Sequence, residues 1–200
     1  MQIGAALRYR WLKLQAMALM AFGRKPAALQ QLAHMLRIKP ADRYALASQA
    51  HLQAEQLQFE FAVVSLQQLT SAWPQDAPAW FNLGYVLQQT GRHEDAEPAF
   101  RRALALEPLM DRAWYGLGLV LMQRQQFHEA AQALKKNTDL QPMSPYGWYR
   151  LAEAWLALDK PDEAQKVLHH LRQFEPAVAH QLEHQYRAFL TTSKALDATH

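Results

Sequence analysis

The sharpest chemical pattern in the sequence is His180-Gln-Leu-Glu183-His184. Histidines four apart on a helix share one face and can hold one metal ion, with the glutamate as base toward a metal-bound water. Such a site needs a third ligand, and only Asp197 and His200 follow. A polar helix face explains the same residues without a metal. Nothing else suggests a reaction, since there is neither a glycine-rich phosphate loop nor a nucleophile elbow. The chain has no cysteine, so disulfides and thiolate metal or redox chemistry are excluded. No cofactor, no metal and no enzymatic activity are expected.

Charge points to binding instead. The net charge is only +3, but residues 1–50 carry eight Lys/Arg against the single acid Asp42. The remaining residues carry thirteen Lys/Arg against seventeen Asp/Glu. Arg8, Arg10 and Lys13 stand beside Ile3, Leu7, Trp11 and Leu14, which recur at helical spacing as in an interfacial helix. This basic end is a candidate for docking on an anionic membrane or on nucleic acid. The apolar run Leu14–Phe22 that follows is interrupted by Gln15 and lacks a clean small-x-small site before Gly23, unlike a signal peptide. It is also too short to span a bilayer. A cytoplasmic protein, with membrane association open, is the expectation.

The elements that must position these residues are set by a repeat. Residues Ala77 to Pro108 carry Trp80, Leu83, Gly84, Leu87, Gly91, Ala96, Phe100, Ala103 and Pro108. Thirty-four residues on stand Trp114, Leu117, Gly118, Leu121, Ala130, Leu134 and Pro142, and after another 34 stand Trp148, Leu151, Ala152, Trp155, Ala164, Leu168 and Pro176. Trp80, Leu83, Gly84 and Leu87 fall on one helical face, and Ala96, Phe100, Ala103 and Leu104 on another. Half of the residues are hydrophobic and only seven are glycine, as suits an all-helical chain.

The period and these residues closely resemble the tetratricopeptide repeat. The resemblance implies an all-α, right-handed solenoid of helix-turn-helix units at 9–42, 43–76, 77–110, 111–144 and 145–178. A last helix, roughly Val178 to Lys194, would cap the array (assigned to 179–196), leaving 197–200 as a loose tail. The first two units fit least well, and in the second Gln49 and Gln53 replace core leucines, which predicts weak packing. Pro98 falls well inside a second helix, where it predicts a bend.

In this family the first helix of each unit lines a concave groove that holds a partner. Carried onto this chain, the groove would offer Phe81, Asn82 and Tyr85, then Arg112, Tyr115, Leu119 and Met122, then Tyr146, Tyr149, Arg150 and Glu153. The first two units would add Arg10, Lys13, Met17 and Met20, then Tyr44 and His51. Phe81, Tyr115 and Tyr149 hold equivalent places and would form an aromatic ladder. Asn82 and Arg112 match two positions of the family's carboxylate clamp, but Ala47, His51 and Gly116 depart from it. A non-catalytic scaffold holding an apolar or amphipathic segment of another protein is therefore expected, with self-association possible through an incomplete end. The H-x-x-E-H stretch has the form found in inverted zinc peptidases and is kept as a remote alternative.

Overall fold

The computed structural model describes the backbone of residues 2–197 and the side chains of residues 6–184, 186 and 187. Among the described residues every regular element is a helix: α1 (Gln2–Ala21), α2 (Lys25–Ile38), α3 (Arg43–Glu55), α4 (Phe59–Ala72), α5 (Ala77–Gln89), α6 (His93–Leu106), α7 (Asp111–Gln123), α8 (Phe127–Leu140), α9 (Pro145–Ala157), α10 (Pro161–Phe174) and α11 (Pro176–Asp197). The helices alternate between 13 residues and 14 residues from α2 to α10. Two compact units result, Met1–Leu106 with α1 to α6 and Glu107–His200 with α7 to α11.

Each pair closes on small residues. Ala28, Ala62, Ala96, Ala130 and Ala164, the repeat's invariable alanines, are all buried. At Gly84 an added Cβ would lie 2.9 Å from the Phe100 ring, and at Gly118 it would lie 2.6 Å from Leu134 Cγ. These glycines let the paired helices approach more closely than any side chain would allow. In the first unit Leu12 and Ala16 pack with Ala28, Leu32 and Met35. In the second unit Leu134, Leu151, Ala152, Leu168 and Leu171 form the centre of a cluster completed by Ala179 and Leu182 of α11.

The turn inside every pair has one form. Residues 23, 57, 91, 125 and 159 all have positive φ, with Gly23 at 68°, Leu57 at 59°, Gly91 at 73°, Gln125 at 59° and Asp159 at 56°. In each turn the next residue's N–H reaches back to close the helix, as from Arg92 to the Leu87 carbonyl at 2.9 Å and from Gln126 to the Leu121 carbonyl at 2.9 Å. A second bond joins the positive-φ residue to the helix, as from Leu57 to the Ala54 carbonyl at 3.0 Å. This double closure is the Schellman motif. Glycine suits it best, yet three of the five positions carry side chains.

The starts of the first helices from α3 onward are tied down as well. Trp80, Trp114 and Trp148 donate their indole N–H to the carbonyls of Pro74, Pro108 and Pro142 at 3.1, 2.8 and 2.8 Å. The Trp and Pro of the repeat are thus partners in one hydrogen bond. The second repeat carries Leu46 in the Trp place, and a different indole serves it: Trp73 donates to the Ala41 carbonyl at 2.9 Å. The glutamines expected to weaken this repeat are partly satisfied. Gln53 is buried and accepts a 2.8 Å bond from the buried Ser65 hydroxyl, while Gln49 Oε1 is buried without a partner.

Helix α6 contains the expected interior proline, and helix α11 departs from its expected bounds. Helix α6 runs unbroken from His93 to Leu106 through Pro98, whose ring is exposed. Helix α11 begins at Pro176 and continues to Asp197, past the expected end at Lys194. Leu182 and Tyr186 of its expected apolar face pack on the core. The side chains of Phe189 and Leu190, and residues 198–200 of the expected tail, lie outside the described residues.

Two stability changes follow from this packing. Gly118→Ala should lower stability by about 1–3 kcal/mol, because Leu134 cannot swing clear of the new methyl group. Leu57→Gly should raise stability by about 0.5–1 kcal/mol, since it relieves a left-handed residue whose side chain is exposed. Thermal and urea unfolding of the two variants beside the wild type check both.

Candidate binding surface

In the first unit, α3 and α5 run side by side as first helices of successive repeats, and their outer faces leave a cleft. Ala47 is small and exposed, so the space between Tyr44, Trp73 and Asn82 stays open, with a volume of about 530 Å³. One turn further along, Ala47, Ala50, His51, Ala54, Asn82 and Tyr85 line a continuation of about 140 Å³. Alanine at successive turns of α3 makes this trough, and α5 supplies its polar and aromatic wall.

Asn82 is exposed and Tyr85 is 47% exposed. Phe81 behaves differently from its neighbours. It is half-buried, stacks on Tyr85 at 6.5 Å between centroids and lies tilted against Phe100 at 6.0 Å. Its ring therefore backs the Tyr85 ring and bridges it to the core.

An ion pair closes one end of the cleft. Arg43 Nε donates to Asp76 Oδ2 at 2.5 Å. Asp76 is also the N-cap of α5, accepting from the Ala79 N–H at 3.3 Å. The hydrogen bond from Arg43 holds the Asp76 carboxyl below its ordinary value against the opposing effect of burial. The same strap occurs one repeat earlier, where the Tyr9 hydroxyl donates to Asp42 Oδ2 at 2.5 Å and Asp42 caps α3 through Ala45. Burial and that hydrogen bond push the Tyr9 hydroxyl well above its ordinary value.

The second unit arranges its aromatic residues around an arginine. Tyr115 of α7 and Tyr149 of α9 are half-buried and pack against the core. Arg150 hydrogen-bonds Tyr115, lies 5.7 Å from the Tyr149 ring centroid and donates to Glu153 at 2.7 Å. Burial alone would lower its pKa, and the bonds to Glu153 and Tyr115 outweigh that, leaving the guanidinium above its ordinary value. Leu119 is half-buried, Arg112 is exposed and Tyr146 is 71% exposed. The structure thus joins Tyr115, Tyr149, Arg150 and Glu153 into one network and leaves Tyr146 outside it.

At the H-x-x-E-H stretch, Glu183 accepts from Arg172 Nε at 2.7 Å, and this bond holds its carboxyl below the ordinary glutamate value. A base working near neutral pH needs the opposite shift. Among the described residues no cluster of three His, Asp or Glu side chains is placed to hold a metal. Sequence reasoning missed Trp73, whose signal was its place just before a repeat proline. It also missed Asn137, which is buried and donates to the Asp111 carbonyl at 2.9 Å, in space that Gly147 leaves free.

Paired helices in fixed register define an α-solenoid repeat protein. Two tetratricopeptide-repeat models match the sequence, one over residues 48–106 and 86–136 and the other over residues 121–183. The chain belongs to the tetratricopeptide-repeat family. No curated protein sequence matches it. Similar solved structures include MamA, at 20% identity and TM-score 0.81, covering 86% of this chain and 94% of that one. YrrB, described as a tetratricopeptide-repeat protein with an unusual peptide-binding site, is 17% identical over 84% of this chain and 88% of its own, with a TM-score of 0.77. PilF of Pseudomonas aeruginosa is 18% identical over 96% and 93% of the two chains, with a TM-score of 0.68. At these identities the likeness is one of fold. No helix among the described residues is long and apolar enough to cross a membrane.

The Asp76 strap makes stability depend on acid. A depressed carboxylate pKa adds stability that is present above the unfolded value, about 3.9, and is lost as pH falls through the lower folded value. Asp76→Ala should cost about 1–2 kcal/mol at neutral pH. It should also flatten the loss of stability below about pH 4. Urea unfolding from pH 7 to pH 2 measures both effects.

Proposed function

We propose that this protein is a non-catalytic interaction scaffold that holds an extended or amphipathic segment of another protein along its first helices. The trough between α3 and α5 carries this reading. A structural surface has no need of a row of alanines that keeps Asn82 and Tyr85 open to solvent. Apolar floors with a few polar groups on the wall suit a peptide, whose side chains fill the hollows while Asn82 meets its backbone. The peptide-binding site described for YrrB supports a similar use of the fold.

Phe81, Tyr115 and Tyr149 take a different role in this proposal than a bare ladder would. Phe81 backs Tyr85, and the Tyr115–Arg150–Tyr149 network fixes a rigid patch with Glu153 at its edge. Tyr146, Arg112 and Leu119 remain candidate contacts of the second unit. Tyr and Arg are the residue types that dominate interface energies.

Filling the trough tests the proposal. Ala47→Arg with Asn82→Arg places two long side chains in it at exposed helical positions, so helical content should stay unchanged by circular dichroism. Peptides selected on the wild type from a random library should bind this variant at least tenfold more weakly. Tyr85→Ala should weaken them by about five- to thirtyfold. Equal binding by all three proteins would remove the trough from the function.

A further inference from the structure

Helix α1 is apolar on two sides. Leu12 and Ala16 face the first core, where they pack with α2. Away from that core, Leu7 is 61% exposed, Trp11 62%, Leu14 60% and Phe22 80%, with the exposed Ala18 between them. Their spacing of four, three, four and four residues draws one continuous stripe along about four turns. In a repeat array this is the side that an adjoining helix pair would cover, and terminal elements keep such a side polar. Here it is the most apolar exposed helix face of the first unit. Single exposed hydrophobic residues are ordinary, but a row of this length marks a docking surface.

Charge selects the occupant. At 100° per residue, Arg8 falls on one flank of the stripe and Arg10 on the other, and Arg24 follows Phe22 in the turn. Among the described residues none of these three arginines has an acidic partner. Lys13, Lys25 and Lys39 are differently engaged: Lys13 lies 4.5 Å from the Tyr44 ring centroid, Lys39 lies 4.3 Å from that of Tyr9, and Lys25 pairs with Glu55 at 3.2 Å. Asp42, the sole acid of residues 1–50, is occupied by Tyr9 and Ala45. A second copy meeting this face would bring two such basic ends together, and like charges would oppose it. A nucleic acid would take the arginines but leave Leu7, Trp11 and Leu14 without an apolar partner.

We infer that this face of α1 seats on an anionic lipid bilayer, lying in its surface. Leu7, Trp11, Leu14 and Phe22 enter the boundary between headgroups and acyl chains, where indole and phenyl rings are favoured. Arg8, Arg10 and Arg24 reach the lipid phosphates from the two edges, their aliphatic stems lying along the apolar surface. The helix is long enough for this, at 20 residues against 13 for α3, because it starts seven residues earlier in the repeat frame. The inference is independent of the trough, which opens between α3 and α5. The protein would then hold a partner segment at a membrane surface.

Vesicle flotation with the full 200-residue chain tests it. Vesicles of phosphatidylcholine with 30 mole per cent phosphatidylglycerol, about the anionic content that gives a cytoplasmic-type surface potential, serve as the probe. Wild type should float with them at low salt, bind pure phosphatidylcholine at least tenfold more weakly, and lose affinity as salt rises. Leu7→Gln with Trp11→Gln and Leu14→Gln should lower binding at least tenfold with unchanged helical content, since all three side chains are exposed. Arg8→Gln, Arg10→Gln and Arg24→Gln should each lower it about fivefold and weaken the salt dependence. Equal binding by wild type and the glutamine stripe variant overturns the inference, as does no binding at low salt. So does a wild-type dimer in light scattering that the stripe variant abolishes without any vesicle binding, which would assign the face to a second copy. Tight binding of nucleic acid that ignores the stripe variant, with no vesicle binding, overturns it as well.

Discussion

Everything in this molecule depends on how closely two helices can approach. Gly84 against Phe100 and Gly118 against Leu134 leave no room for even a methyl group, and the five buried alanines of the second helices repeat the constraint. Close approach uses up the inner face of both helices in each pair. The exposed positions on the outer face of the first helix are then free to vary. That division lets α3 carry Ala47 where α5 carries Phe81, and so opens a trough toward Asn82 and Tyr85 in a scaffold whose interior is already full.

The second layer of order is polar. Indole to proline carbonyl, aspartate to backbone N–H, and Tyr9 or Arg43 to the following aspartate are ties between segments about one repeat apart or less. The aspartates satisfy N–H donors that the helix starts leave open, and the other ties hold those aspartates and the connecting segments in place. The Arg43–Asp76 tie also borders the trough, so one interaction shapes both the scaffold and its opening. In the second unit the same economy appears in Arg150, which orders Tyr115, Tyr149 and Glu153 at once.

Much of the fold was legible because a 34-residue period amplifies weak signals. One Trp-x-x-Leu segment followed by a small residue is ambiguous, while three in register identify a helix pair and its core face. The small residues at 84 and 118 and the starts of α3, α5, α7 and α9 were all readable from that register. What escaped were solutions used once. Trp73 replaces a missing indole from a position outside the pattern, and Ser65 answers Gln53 across twelve residues. Asn137 depends on Gly147, which the sequence reading did not connect to it. The candidate surface was half legible. Equivalent positions named Phe81, Asn82 and Tyr85 together, but only packing separates the ring that supports from the ring that is presented.

The Schellman turns at residues 23, 57, 91, 125 and 159 carry a consequence for how such a sequence can change length. Two hydrogen bonds fix the chain over three residues there, whatever side chain occupies the left-handed position. Exchange of that side chain leaves the bonds in place, as Gly, Leu, Gln and Asp all show. A single inserted residue would break both bonds and rotate the second helix by about 100°. Ala96 or Ala130 would then point away from the partner helix that needs it. The turn therefore acts as a phase lock, tolerant of spelling and intolerant of count.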